Sequence, residues 1–285
     1  MKRYLLPVIA VILMVLYFLP YLSWKNKKTL HLISLKPDEI NSIVIKKEGT
    51  EYEFRKENTH WKMLKPIKWK ADEEKIKRLL EALRETILET PVSDKDYQKF
   101  NIKDDGNFIQ VSNGQTTQTV FIGKRGARYS LIYVKPEKDK RVYLVRARFA
   151  DRLPAGENDF RDRSIFKTDP ARIKAVFWKE GDKTYSLVRR EDGWYGGKTR
   201  GKENTKVDSK KVKEYIDRVS DIEATGFLKD DKLPENAKKI GFIIITADRE
   251  TTIELYKKEN DFFLFNSGQA FRITSFVKDR LFREL

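Results

Sequence analysis

The chain has 285 residues, 36% of them charged, a net charge of +16 and no cysteine. That length allows one large domain or two small ones with real cores, and the missing cysteines exclude disulfide and thiolate chemistry. The positive balance marks either anionic partners such as nucleic acid, lipid head groups or acidic polymers, or a solvated surface rich in lysine and glutamate, since acids are interleaved throughout.

Residues 4–24 carry no charge, and as a helix they would span roughly 30 Å, the thickness of a bilayer's hydrocarbon. Pro7 and Pro20 fall in its first and last turns, where proline is best tolerated. Tyr4 at one end and Tyr17, Tyr21 and Trp24 at the other suit the two interfaces. Only Ser23 is small after the run, so residues 1–28 read as an uncleaved single-pass anchor rather than a cleaved signal peptide. Lys2 and Arg3 before the run and Lys25, Lys27 and Lys28 after it leave the positive-inside count undecided. The short basic tail resembles a signal anchor, which places the C-terminal part on the outer side of the cytoplasmic (inner) membrane.

Behind the anchor the chain repeats its own pattern. "INSIVIKKEGTEYEFRKENTHW" from Ile40 parallels "IKAVFWKEGDKTYSLVRREDGW" from Ile173, an offset of 133 residues that Trp61 and Trp194 keep. Alternating apolar residues (Ile43, Ile45; Val176, Trp178), a glycine-containing turn and a second alternating run (Tyr52, Phe54; Tyr185, Leu187) predict a hairpin in each copy. The two tryptophans, at equivalent places, are expected in the core. An amphipathic helix follows: Ile76, Leu79, Leu80, Leu83 and Ile87 share one face, as do Val212, Tyr215, Ile216, Val219 and Ile222. Asp72 and Asp208 stand at the N-caps.

"FIQVSNGQTTQTVFIG" from Phe108 then parallels "FIIITADRETTIELYK" from Phe242, a further hairpin. "VYLVRARFADRL" from Val142 parallels "AFRITSFVKDRL" from Ala270, a strand turning into a short helix. The expected fold class is therefore α+β: an N-terminal transmembrane helix, then two tandem α+β repeats over residues 29–160 and 161–285. Each would hold antiparallel strands, one amphipathic helix and a short closing helix.

Gly197-Lys198-Thr199 has the ending of a phosphate-binding loop. That motif needs an earlier glycine where Asp192 stands, and a helix opening at the lysine and threonine. Neither is present, so the stretch reads as the connection from third strand to helix, three residues longer than its counterpart.

Trp61, Pro66, Ala71 and Asp72, the helix after them, and the later "FIG", "YV" and "VYLV" occur in an order that resembles the domain of unknown function 4340 family. "FRDRSIF" from Phe160 resembles that family's arginine–aspartate connection to a second half. The second copy departs, with no counterpart of Pro66 and with "GGKTRGKENT" in place of a compact linker. The resemblance implies a membrane-anchored bacterial protein, grouped with ABC-transporter or gliding-type auxiliary components. It implies no biochemical activity and supplies no catalytic residues.

Catalytic constellations are not apparent. His31 and His60 are separate, so a histidine metal site has no ligand set, and no nucleophile elbow occurs. Asp104-Asp105 and Asp230-Asp231 lie in turn-rich sequence beside lysines. Two basic places remain: Lys124, Arg125 and Arg128 in "GKRGAR", a loop between strands, and Arg161 and Arg163 around Asp162 at the joint of the repeats. Arginine's planar fork suits carboxylates and phosphates, although Asp162 offers a structural pairing as well. These residues lead to the expectation of a non-catalytic accessory or scaffold of a membrane assembly, with other membrane proteins as partners and no cofactor. The alternative is a binding module for anionic envelope polymer or lipid head groups. Nucleic acid is excluded as a partner by the expected compartment and by the lack of a binding motif.

Overall fold

The structure is a computed structural model that describes residue 14, residues 30–228 and residues 231–283. The chain divides into two compact units, Met1–Asp162 and Arg163–Leu285. In the first, a nine-stranded antiparallel sheet runs in the spatial order Trp69–Lys70, His60–Lys65, Thr50–Glu57, Ser42–Lys47, Phe108–Ser112, Thr117–Arg125, Leu131–Pro136, Val142–Arg146 and Pro91–Ser93. The second repeats this order strand for strand: Thr205–Lys206, Gly193–Gly197, Lys183–Arg190, Ala175–Glu180, Lys238–Thr246, Glu250–Lys258, Asp261–Asn266, Gln269–Ile273 and Gly226–Phe227. Each unit adds a small two-stranded ladder, Leu30–His31 with Ile87–Leu88 and Ser164–Lys167 with Asp221–Glu223.

This corrects the expected fold class. Strand is the largest class among the described residues, and from residue 30 on only Glu73–Glu85, Ser209–Val219 and Ser275–Leu281 are α-helices among them. An α+β repeat behind a transmembrane helix does not describe two nine-stranded sheets. No helix of the described residues is long and apolar enough to cross a membrane, and the apolar stretch, residue 14 apart, lies outside them. The closing helix forms only in the second unit, where Thr274 caps it by accepting from the Val277 N–H. Aligned on the shared Asp-Arg-Leu, the first unit has Arg146 at that place, with no cap to offer, and forms a single 3-10 turn, Ala150–Arg152.

The cores follow from alternation. Ile43 faces Phe54 and Ile45 faces Tyr52 across the first hairpin, and all four are buried. The turn between them holds Glu48 and Gly49 at positive φ, the conformation that matches the strands' twist. Ile76, Leu79, Leu80 and Leu83 of the first helix join the same cluster. In the second unit Val176 faces Leu187 and Trp178 faces Tyr185. There Trp178 packs at 4.7 Å from the ring of Tyr215, whose hydroxyl donates to the Leu281 carbonyl at 2.9 Å. Burial pushes the Tyr215 hydroxyl pKa well up.

Asp72 and Asp208 cap their helices as the sequence predicts. The helices stop at Glu85 and Val219, so Ile87 and Ile222 belong to the small ladders instead, and Ile87 is exposed. Trp61 is buried but its counterpart Trp194 is only half-buried.

"GGKT" proves to be the end of a strand and the start of a turn that folds back over it. A Cβ on Gly196 would stand 2.8 Å from Val207 Cγ2, and one on Gly197 would stand 2.6 Å from the Lys202 carbonyl oxygen. The connection is fastened by Glu203, a buried acid that accepts from the Gly201 N–H at 2.9 Å. Burial alone would raise its carboxyl pKa. Hydrogen bonds from Ser186, Gly201 and its own N–H, with the charge of Arg190, bring it below the ordinary value.

Candidate functional site

Arg161 and Arg163 have different surroundings. Arg161 is 2% exposed, its guanidinium carbon 4.0 Å from the centre of the Trp69 ring and its Nη1 donating to Asn158 at 2.9 Å. Backbone bonds run beside it from Asp72 to Phe160 and from Asp162 to Lys70. Lys70 pairs with Asp162 at 2.8 Å and Lys75 with Asp159 at 2.7 Å. The segment thus clips the first unit's last residues onto the start of its helix. Arg163 is exposed and belongs to the second unit, where its carbonyl accepts from the Ala224 N–H.

The other basic place gathers cations that stand apart along the chain. Thr117–Arg125 delivers Lys124 and Arg125 to one end of the first sheet, and the turn after it carries Arg128 and Tyr129. The neighbouring strand Leu131–Pro136 pairs Leu131 with Arg146, and the Ala147 N–H donates to the Ser130 carbonyl at 2.9 Å. Arg146, Arg148 and Arg152 therefore arrive at the same end. Arg125 is held: its guanidinium donates to Asp151 at 2.6 Å and to the Tyr129 carbonyl at 2.9 Å, and lies 4.4 Å from the Tyr129 ring centre. Lys124, Arg128, Arg146, Arg148 and Arg152 are exposed and make no ion pair with any described residue.

A cleft of 390 Å³ opens beside these cations. Ala82, Ile87, Leu131, Leu144 and Val145 give it an apolar lining, with Arg146 and Arg148 and the acids Glu85 and Glu89. Its one hydroxyl, on Thr86, donates to the Ala82 carbonyl at 2.7 Å. Such a lining suits an anionic group on an apolar body, held by attraction and burial. It offers no base positioned beside a nucleophile.

The second unit serves as an internal control, since it has the same strand order. Lys257 and Lys258 stand for Lys124 and Arg125, but the five-residue turn is replaced by Glu259 and Asn260. Thr274 and Phe276 stand for Arg146 and Arg148, and Arg280 for Arg152. Asp261 pairs there with Arg272 at 3.1 Å and Asp279 with Lys278 at 2.6 Å. The fold does not require Arg128, Arg146 and Arg148, because the second copy has no cation at their places; it keeps Lys257, Lys258 and Arg280, and Arg218 and Arg280 line a cleft of its own. Arg146 and Arg148 had a sequence signal, basic residues two apart in "VRAR", although the strand ends at Arg146 and Arg148 lies in the turn after it.

The remaining predicted sites are local. His31 Nδ1 lies 2.7 Å from the Arg84 carbonyl oxygen and His60 Nδ1 2.7 Å from Glu73 Oε1. Asp104 and Asp105 are exposed in a turn closed by Gly106 and Lys103, while Asp230 lies outside the described residues. No group of three or more His, Cys, Asp or Glu side chains that could hold a metal occurs among the described residues.

A family model described as "Domain of unknown function (DUF4340)" matches residues 61–240, more than half of the chain. No curated protein and no solved structure matches the chain.

Proposed function

We propose, from the premise that the chain belongs to the DUF4340 family, that it is a non-catalytic accessory of a membrane assembly. It is held at the outer face of the cytoplasmic membrane by its uncharged residues 4–24. Each sheet is a scaffold in its own unit, and the basic end of the first is the contact surface for an anionic component. The observation that carries this reading is the gathering of Lys124, Arg128, Arg146, Arg148 and Arg152, all exposed and without an ion pair among the described residues, at the end of the first sheet where the cleft opens. An association with an ABC-type transporter follows from the family resemblance alone.

A photo-cross-linking residue placed at Arg128 or at Asn260 in the full-length protein tests this in native membranes. Adducts at position 128 and none at 260, in a protein that resists alkaline washing of the membranes, are the expected result. Release by the wash, or adducts at neither position, would contradict the reading.

A further inference from the structure

We propose that the basic end of the first unit rests on the anionic lipid head groups of the membrane that holds the chain. The proposal depends on the membrane attachment argued above and names the partner of the same surface. Its first support is where the chain joins the unit. His31 sits opposite Ile87 in the small ladder, and Ile87 lines the cleft together with Arg146 and Arg148. Residues 25–29 separate the uncharged stretch from Leu30, so the two are at most about 20 Å apart even when fully extended. This corner is therefore kept within reach of the bilayer surface.

The chemistry there suits that surface. Arg128, Arg146 and Arg148 are exposed cations, and each basic residue near an anionic leaflet strengthens attachment about fivefold. Tyr129 is 76% exposed, an aromatic with a polar tip of the kind enriched at the lipid–water boundary. The guanidinium of Arg125 lies over its ring while pairing with Asp151, which fixes the ring in place. Ile87, 41% exposed, adds apolar surface on the same rim. A head group is favoured over an acidic protein because a short tether already gives the leaflet a high effective concentration at this corner.

The absence of native cysteine allows a single label to report contact. Full-length Ala127→Cys, labelled with a fluorophore, is reconstituted in vesicles carrying a head-group quencher, with Lys183→Cys as the second-unit reference. Phosphatidylglycerol-containing vesicles should quench the label at 127 several-fold more than pure phosphatidylcholine vesicles do. At ~1 M salt, where charges are screened within about 3 Å, the difference should vanish. Combining the label with Arg128→Ala, Arg146→Ala and Arg148→Ala should lower quenching at least about fivefold. Arg128→Gln alone, on an exposed turn, gives a smaller loss free of folding effects. Equal quenching in both lipids, or none while the protein still floats with the vesicles, overturns the head-group contact and leaves the attachment standing. A protein that floats with neither vesicle overturns the attachment and this contact with it.

Discussion

Replacing Arg161 tests whether its side chain is a tie within the first unit. Its guanidinium is buried against Trp69 at 4.0 Å and donates to Asn158 at 2.9 Å. A desolvated cation–π contact is worth about 2 kcal/mol, and a hydrogen bond from a charged group about 1.5–3 kcal/mol. The two overlap in one side chain, so Arg161→Ala should destabilise the clip by about 3 kcal/mol. Native-state hydrogen exchange reads this locally, at the amides of Asp72 and Asp162 that bond to Phe160 and Lys70. If these open through the clip, their exchange should speed up about a hundredfold. Arg161→Lys keeps the charge but loses the planar fork, and should recover less than half of the loss. Arg163→Ala, at an exposed position, should change stability by under about 0.5 kcal/mol. Exchange at Asp72 and Asp162 within threefold of the unsubstituted protein would refute the clip.

Asp139 is held at a pKa of about 2, foremost by hydrogen bonds from Arg141, which outweigh the opposing effect of burial, and with help from the Tyr143 hydroxyl. Because the folded value lies below the ordinary one, its stabilisation is full above about pH 4 and is lost as pH falls towards 2. The half-exposed Arg141 limits it to about 1–2 kcal/mol; Asp139→Asn should flatten acid unfolding over that window. Gly197→Ala would drive a Cβ against the Lys202 carbonyl, and urea unfolding should show a loss of about 1–3 kcal/mol, with Gly201→Ala as a comparison that meets no atom within 4 Å but is strained by its φ of +83°. Tyr215→Phe should cost about 1–2 kcal/mol by leaving the Leu281 carbonyl unpaired; no loss in thermal melting would mean that water replaces the hydroxyl.

The parts legible in the sequence were those with a period. Ile43 and Ile45 alternate into the core, Ile76 to Leu83 follow a helical stripe, and Asp72 and Asp208 announce the helix starts. The same two helices, being the strongest signals, suggested an α+β class, while much of each sheet is written in residues without a pattern. Trp69–Lys70, Thr205–Lys206 and Gly226–Phe227 are two-residue edge strands, too short to alternate, and are defined only by the strand they pair with. Ile87 continues the helical stripe, yet the helix ends before it and Leu32 bonds to the Thr86 carbonyl. At the candidate site, "GKRGAR" was legible as a group of cations. The convergence of Arg146 and Arg148 with it depends on strand pairing, and the burial of Arg161 depends on Trp69, 92 residues earlier in the chain. Neither distance is visible along a sequence.

The claim that the first unit's basic end is the working surface is tested most directly by hydrogen exchange on the full-length protein in native membranes and after detergent extraction. The account predicts that residues 124–131 and 144–152 are protected in the membrane and exchange faster once extracted. The equivalent second-unit residues, 257–261 and 272–280, should exchange alike in both states. Protection of both sets, of the second alone, or of neither would contradict it.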